Sequence, residues 1–287
     1  MIIFTSDVRY WNDNTIRPNH STRGKKMTLF DFRLKPLKEI EPWGEEPDLS
    51  LHWYGLTDGV YFMNVGKEQL FRYSNEAVEY WKKEYNDSSV FFEYQVARIY
   101  EDILSILPDI LQPIPLHIYD YISTVEKQNA WSEQLAEIFD ETDDGSIEDT
   151  YYLASEWLFY RRLQGMGGGP EIIIFRSGDN IHIRWDNESI MIDGIQSWAA
   201  KRGEYLLSVE DFMKEVKLFH LRFIADMAER VQTVSKTNPF AHVKLDIAAL
   251  KKEQKDRTCS LKDSLSRSPN VESWANVINA NKQLLGA

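Results

Sequence analysis

Twice along this 287-residue chain, short β-prone segments punctuated by turn residues give way to a long amphipathic helical stripe. The first instance reads as strands at 51–56 and 60–66 joined by the turn Thr57-Asp58-Gly59, with a third strand at 69–73. Phe92, Val96, Ile99, Ile103, Leu104 and Leu107 then recur at helical spacing, and Pro108 is expected to stop that helix. The second instance reads as strands at 171–176, 181–185 and 189–192, the first two joined by a turn at 177–180. A helix follows, with Val209, Phe212, Met213, Val216, Phe219, Phe223, Ile224, Met227 and Val231 on one stripe. Ser208 is placed as its N-cap, and Glu210 and Asp211 fall in the first turn where the helix dipole favours acids. Between the two instances, residues 128–163 are helical in pattern, interrupted by an acidic loop at 140–149.

These patterns predict an α+β protein with two antiparallel β-meanders, each followed by a long amphipathic helix, and a helical insertion between them. Two half-domains or one sheet built from both meanders satisfy the pattern equally. The expected organisation is a loosely ordered lead-in at 1–26, a first half at 27–164, a second at 165–240 and a peripheral helical tail at 241–287. In the lead-in, Arg9, Arg17, Arg23, Lys25 and Lys26 outnumber Asp7 and Asp13. Residues 22–27 read as a translated purine-rich ribosome-binding stretch, which points to Met27 as the natural start.

The longest apolar region, 99–122, is broken by Glu101, Asp102, Asp109, Asp120 and three prolines, short of the ~20 residues a membrane span needs. With Cys259 as sole cysteine, no internal disulfide and no cysteine-based zinc cluster can form, and a cytoplasmic setting is expected. A net charge of −12 argues against nucleic acid as partner. The charge is also uneven. No basic residue occurs between Lys127 and Arg161, whereas Glu133, Glu137, Asp140, Glu141, Asp143, Asp144, Glu148, Asp149 and Glu156 do. Such a block is either a solvated helix face or a docking surface that steers a basic partner.

No arrangement of residues announces catalysis. The glycine-rich stretch 165–169 lacks the Lys-Ser or Lys-Thr pair of a phosphate loop and is followed by Pro170. Residues 140–151 partly match a calcium loop, but Thr142 is a poor ligand and Tyr151 stands where a bidentate Glu is required, leaving weak divalent-ion binding at most. His20, His52, His117, His182, His220 and His242 are scattered, with none in a His-Glu-x-x-His arrangement. No nucleophile elbow occurs. Asp58 and Asp186 are the carboxylates closest to turn-borne site positions, and turn geometry alone explains both. No catalytic residue, cofactor or metal ligand is therefore assigned.

The segments Leu29-Phe30-Asp31-Phe32-Arg33-Leu34-Lys35-Pro36-Leu37, Pro42-Trp43-Gly44 and Leu51-His52-Trp53-Tyr54-Gly55-Leu56-Thr57-Asp58-Gly59 resemble an uncharacterised family of bacterial and phage proteins. The likeness runs from about Met27 to Val234, with Tyr54 where that family usually has Phe. The resemblance implies no activity. By analogy with immunity and anti-defence proteins, the expected function is stoichiometric binding of another protein in bacterial or phage conflict. The alternatives are a regulatory or structural binding module and an enzyme of unrecognised type. The expected surface combines the acids at Glu133, Glu137, Asp140, Glu141, Asp143, Asp144, Glu148 and Asp149 with aromatic anchors Trp53, Tyr54 and Tyr61. Self-association stays open.

Overall fold

The computed structural model describes residues 27–142, 145–163, 169–240 and 243–286. The lead-in, Asp143, Asp144, residues 164–168 of the glycine-rich break and His242 lie outside the described residues. The elements run β1 (Phe30–Leu34), β2 (Asp58–Val65), β3 (Glu68–Leu70), α1 (Asn75–Tyr85), β4 (Glu93–Gln95), α2 (Val96–Leu111), α3 (Leu116–Tyr121), α4 (Val125–Glu141) and α5 (Glu148–Phe159). Then come β5 (Ile172–Ser177), β6 (Asn180–Asp186), β7 (Met191–Ile192), β8 (Ile195–Gln196), β9 (Arg202–Ser208), α6 (Val209–Thr237), α7 (Ile247–Arg257), α8 (Ser260–Leu265) and α9 (Trp274–Leu285). The protein is α+β, and its two main sheets are antiparallel.

The first sheet is not the hairpin that the Asp-Gly signal predicts. Residues 51–54 form no strand, Gly55–Thr57 is a 3₁₀ turn, and β2 begins at Asp58 itself. β1 pairs with one edge of β2, from Phe30 opposite Met63 to Leu34 opposite Gly59, and β3 and β4 share the other edge. Gly59 serves close strand approach instead of a turn: a Cβ there would lie 2.3 Å from the Arg33 carbonyl oxygen.

In the second sheet β6 lies between β5 and β9. The expected strands at 171–176 and 181–185 match β5 and β6, and Gly178 takes a positive φ of 58° in their turn. Residues 189–192 do not join them. They supply the two-residue β7, which folds onto β8 through Asp193 and Gly194, both at positive φ, and the third strand is β9.

Helices α2 and α6 separate the sheets: α2 packs against β2 and β5, and α6 against β1, β6 and β9. One core therefore joins Phe30, Phe32 and Met63 of the first sheet to Ile174, Ile183 and Trp185 of the second through Tyr100, Phe219 and Phe223. Each fully buried large side chain contributes roughly 1.5–3 kcal/mol. Ser208 caps α6 as expected, its hydroxyl accepting from the Asp211 amide at 3.0 Å. A second core covers the opposite face of β5, where Ile173 and Phe175 meet Trp131, Leu135, Trp157 and Val277 of α4, α5 and α9.

Two expectations need correction here. The tail is integral to both cores, because Leu250 and Leu261 join the first and Val271, Val277 and Ala280 the second. And α2 runs through Pro108 to Leu111. Proline removes the amide that would donate to the Leu104 carbonyl. That carbonyl instead accepts from the Ser264 hydroxyl at 2.5 Å and from the Arg267 guanidinium.

Candidate functional site

Of the predicted aromatic anchors, Trp53 and Tyr61 are buried and Tyr54 is half-buried. Trp53 is 0% exposed: its indole Nε1 donates to Gln254 Oε1 at 2.7 Å, and Arg257 lies 4.3 Å above its ring. Tyr61 is 3% exposed, edge-on to Phe71 at 5.0 Å. Tyr54 is half-buried beside Trp43, and burial pushes its phenol up to about 12. Once the hairpin reading fails, these rings have a core to fill, and their β-prone character carries no information about a partner.

The acidic residues behave differently. Glu133, Glu137 and Asp140, at spacings of four and three, share one face of α4, with Glu141 beside them; Glu148, Asp149 and Glu156 are exposed on α5. None of these seven has an ion-pair partner among the described residues. Some acids elsewhere are paired, as Glu210 and Asp211 are with Lys214, or Glu101 and Glu253 with Arg257, whereas others, such as Glu45, Glu76 and Asp193, are exposed without an ion-pair partner among the described residues. What sets the α4–α5 acids apart is that they lie together on two adjoining helices.

Sequence reasoning missed what stands between them. Tyr152, Leu153 and Phe159 on α5 are 49%, 44% and 53% exposed. Glu148, Tyr152, Glu156 and Phe159 follow one another at spacings of four, four and three, so acid and aromatic alternate along one exposed stripe. That spacing is legible in the sequence. The opposite face of α5 explains its outward display, since Ala154, Trp157 and Leu158 are buried in the second core. Phe139 of α4 closes on Tyr151 at 4.5 Å and Tyr152 at 6.3 Å, joining the aromatic surfaces of the two helices. Beside the stripe, α5 and the start of α9 enclose a groove of about 260 Å³ whose wall is apolar at Leu153, Trp157, Val271 and Val277 and polar or acidic at Glu156 and Glu272 among others. The surface thus offers a groove of mixed apolar and polar lining, exposed rings and uncompensated negative charge together.

Most of the other singled-out residues are engaged structurally. Asp58 meets Lys35 at 3.2 Å, and His220 Nδ1 lies 2.8 Å from the Tyr100 hydroxyl. His52 is exposed with its ring 4.4 Å from Trp43, and His117 is exposed on α3. His182 contacts Glu204 at 3.1 Å and stacks on Phe175 at 4.7 Å. Asp186 accepts from Asn129 at 2.8 Å and Arg202 at 2.9 Å. Although burial opposes it, these donors hold its carboxyl below the usual range. Within the partial calcium loop, Tyr151 lies in α5 against Phe139; among the described residues no group of three or more His, Cys, Asp or Glu could hold a metal ion. No helix of the described residues is long and apolar enough to cross a membrane.

The chain matches the model of a family of unknown function, DUF5984, over residues 29–280, and it belongs to that family. The match reaches from β1 into α9 and so takes in both cores. No curated protein and no solved structure matches it.

Proposed function

We propose that this member of DUF5984 works by binding another protein that presents a basic surface, using the α4–α5 face and the adjoining groove. The observation that carries this reading is a row of exposed carboxylates without cationic partners, interleaved with Tyr152, Leu153 and Phe159 at about half exposure. Such a field concentrates an oppositely charged partner near the surface, and large rings beside a groove then supply the short-range contact. Uncompensated like charge costs the free protein stability, and a basic partner relieves that cost. A stoichiometric inhibitor of the immunity or anti-defence kind, working in the bacterial cytoplasm, is the form of the reading that a steering surface fits.

The test is affinity capture from the native host, followed by binding kinetics with the captured protein. Two variants separate the contributions: Glu137→Lys/Asp140→Lys/Glu148→Lys for steering, and Tyr152→Ala/Phe159→Ala for contact. The charge variant should slow association and flatten its salt dependence; the aromatic variant should speed dissociation, each raising Kd about tenfold or more. Unchanged kinetics in both variants remove this surface from the interaction.

A further inference from the structure

The outer edge of β9 is open. The two-residue turn at Gly178 and Asp179 makes Ser177 and Asn180 a hydrogen-bonded pair, so even-numbered residues of β6 bond β5 and odd-numbered ones bond β9. The bonds at both ends of β9 agree: the Val209 amide donates to the Asp179 carbonyl, and the Asn187 amide to that of Lys201. Gly203, Tyr205 and Leu207 therefore complete the ladder, and the amides and carbonyls of Arg202, Glu204 and Leu206 point away from it. No described residue bonds them. They face solvent, since Glu204 is exposed as a residue although its side chain is only 27% exposed.

The outer edges of β5 and β1 are covered. Along β5, Arg162 and Pro113 bridge to Ile173 and Arg176. Along β1, α6 supplies the partners: Glu215 accepts from the Leu29 amide at 2.8 Å, and Arg222 and Arg230 donate to the carbonyls of Phe30 and Lys35. β9 lacks the devices that blunt a free edge. Its seven residues pair with β6 without a bulge and include no proline and no lysine. Its two charges are turned onto neighbours, Glu204 onto Arg184 at 2.6 Å and Arg202 onto Asp186 at 2.9 Å. Leu206, 53% exposed, follows them on the same face of the strand.

We propose that a second copy of this chain fills the edge, the two β9 strands pairing antiparallel about a two-fold axis so that their sheets become continuous. Outward bonding by even-numbered residues admits few registers. Only the register with Tyr205 opposite its own copy overlaps the whole strand, and it sets Glu204 against Leu206 instead of against another Glu204. The charges suit the same symmetry. Lys201 and Arg202 stand at the start of β9, and Glu210 and Asp211 lie just beyond its end with side chains 79% and 60% exposed. Antiparallel pairing brings the basic end of each strand beside the acidic end of the other. The contact uses no residue of the α4–α5 surface and is independent of the protein-binding reading.

Sedimentation of the full chain from about 1 to about 100 µM should show a monomer passing into a dimer, with Kd on the order of 10 µM for an interface this small. Leu206→Pro removes an outward amide, where an edge strand tolerates proline, and should leave a monomer throughout that range. Leu206→Glu keeps the amide and sets like charge against Glu204 of the other copy at two places in the dimer. It should raise Kd roughly tenfold at an unchanged urea midpoint of the monomer. In a Cys259→Ser background, Tyr205→Cys should cross-link the dimer under mild oxidation, because residues on the axis form a non-hydrogen-bonded pair with Cα atoms ~4.5 Å apart. A chain that stays monomeric at the highest concentration leaves the edge to a foreign strand and overturns the proposal. So does a dimer that Leu206→Glu leaves undiminished, or one in which Tyr205→Cys forms no cross-link.

Discussion

Replacing Asp102 by Asn should stabilise the protein at neutral pH and do nothing in acid. Asp102 lies on α2, its side chain 13% exposed, with Oδ2 3.1 Å from Arg98 Nε. Burial outweighs that attraction and lifts the carboxyl from its ordinary 3.8 to about 6. A carboxyl raised on folding binds its proton more tightly in the native state. Its contribution is therefore favourable below about pH 4 and is lost as pH rises through 6. Above pH 7 the native state carries a partly desolvated carboxylate. A shift of this size corresponds to about 3 kcal/mol at most, and the remaining solvent contact and relaxation reduce it to roughly 1–2 kcal/mol. Asn keeps an oxygen for Arg98 without the charge. Urea unfolding of both proteins from pH 4 to pH 8 measures the difference as a displaced midpoint at constant slope. The gain should be absent at pH 4 and grow to its plateau near pH 7. A gain independent of pH, or a loss at pH 8, would show that the Arg98 pair outweighs burial and that the argument has the wrong sign.

Other substitutions probe how the chain's ends are tied together. Removing both donors to the Leu104 carbonyl, as Ser264→Ala/Arg267→Ala, should cost about 2–3 kcal/mol in urea unfolding. Adding Pro108→Ala to that pair should restore part of the loss, because the new amide can reach the same carbonyl; no recovery would place the cost elsewhere. Gly203→Ala would set a Cβ 2.4 Å from Trp185 Cζ2, a rigid ring in the core, and should destabilise by about 1–3 kcal/mol. A neutral result there would mean that Trp185 has room to move.

Elements whose signal is local were legible, and those defined by distant partners were not. α6 could be read to its cap because its stripe is unbroken and Ser208 precedes two acids. β5 and β6 were legible from two β-branched runs around Gly178. β9 was not, because Arg202, Gly203 and Glu204 open it with polar and flexible residues, and its place follows from pairing Gly203 against Trp185. Trp53 sits in a segment that is β-prone residue by residue, yet its position is decided by Gln254, 201 residues away. Pro108 is the same case: a helix stop by local rule, overridden by Ser264 and Arg267. At the candidate surface, the acids were visible as composition and the α5 stripe as spacing. Only the burial of Trp157 and Leu158 on the other face shows which way that stripe looks.

Arg161 and Arg184, 0% and 1% exposed, bear on how the helices of the acidic face are held. Removing a guanidinium from water costs several kcal/mol, and an aliphatic side chain could fill either space. Burial pulls Arg161 down to about 10, so it still carries its charge at neutral pH. What these arginines add is direction. Arg161 donates to the Trp157 carbonyl and Gln112, tying the end of α5 to the end of α2, while Arg184 ties β6 to the start of α4. On α4 itself, Trp131 Nε1 donates to Asn281 Oδ1 at 2.8 Å, so α9 clamps the middle of the helix. Gln128, held by Arg184, and Glu137 and Asp140 on the acidic face therefore lie on one helix, on either side of that clamp. From Gln128 to Glu137 the helix rises about 13 Å, far enough for substitutions at the two places to act additively. The acidic face can thus be recharged without loosening the Arg184 bonds, so that slower association on charge reversal reads the surface and not the fold.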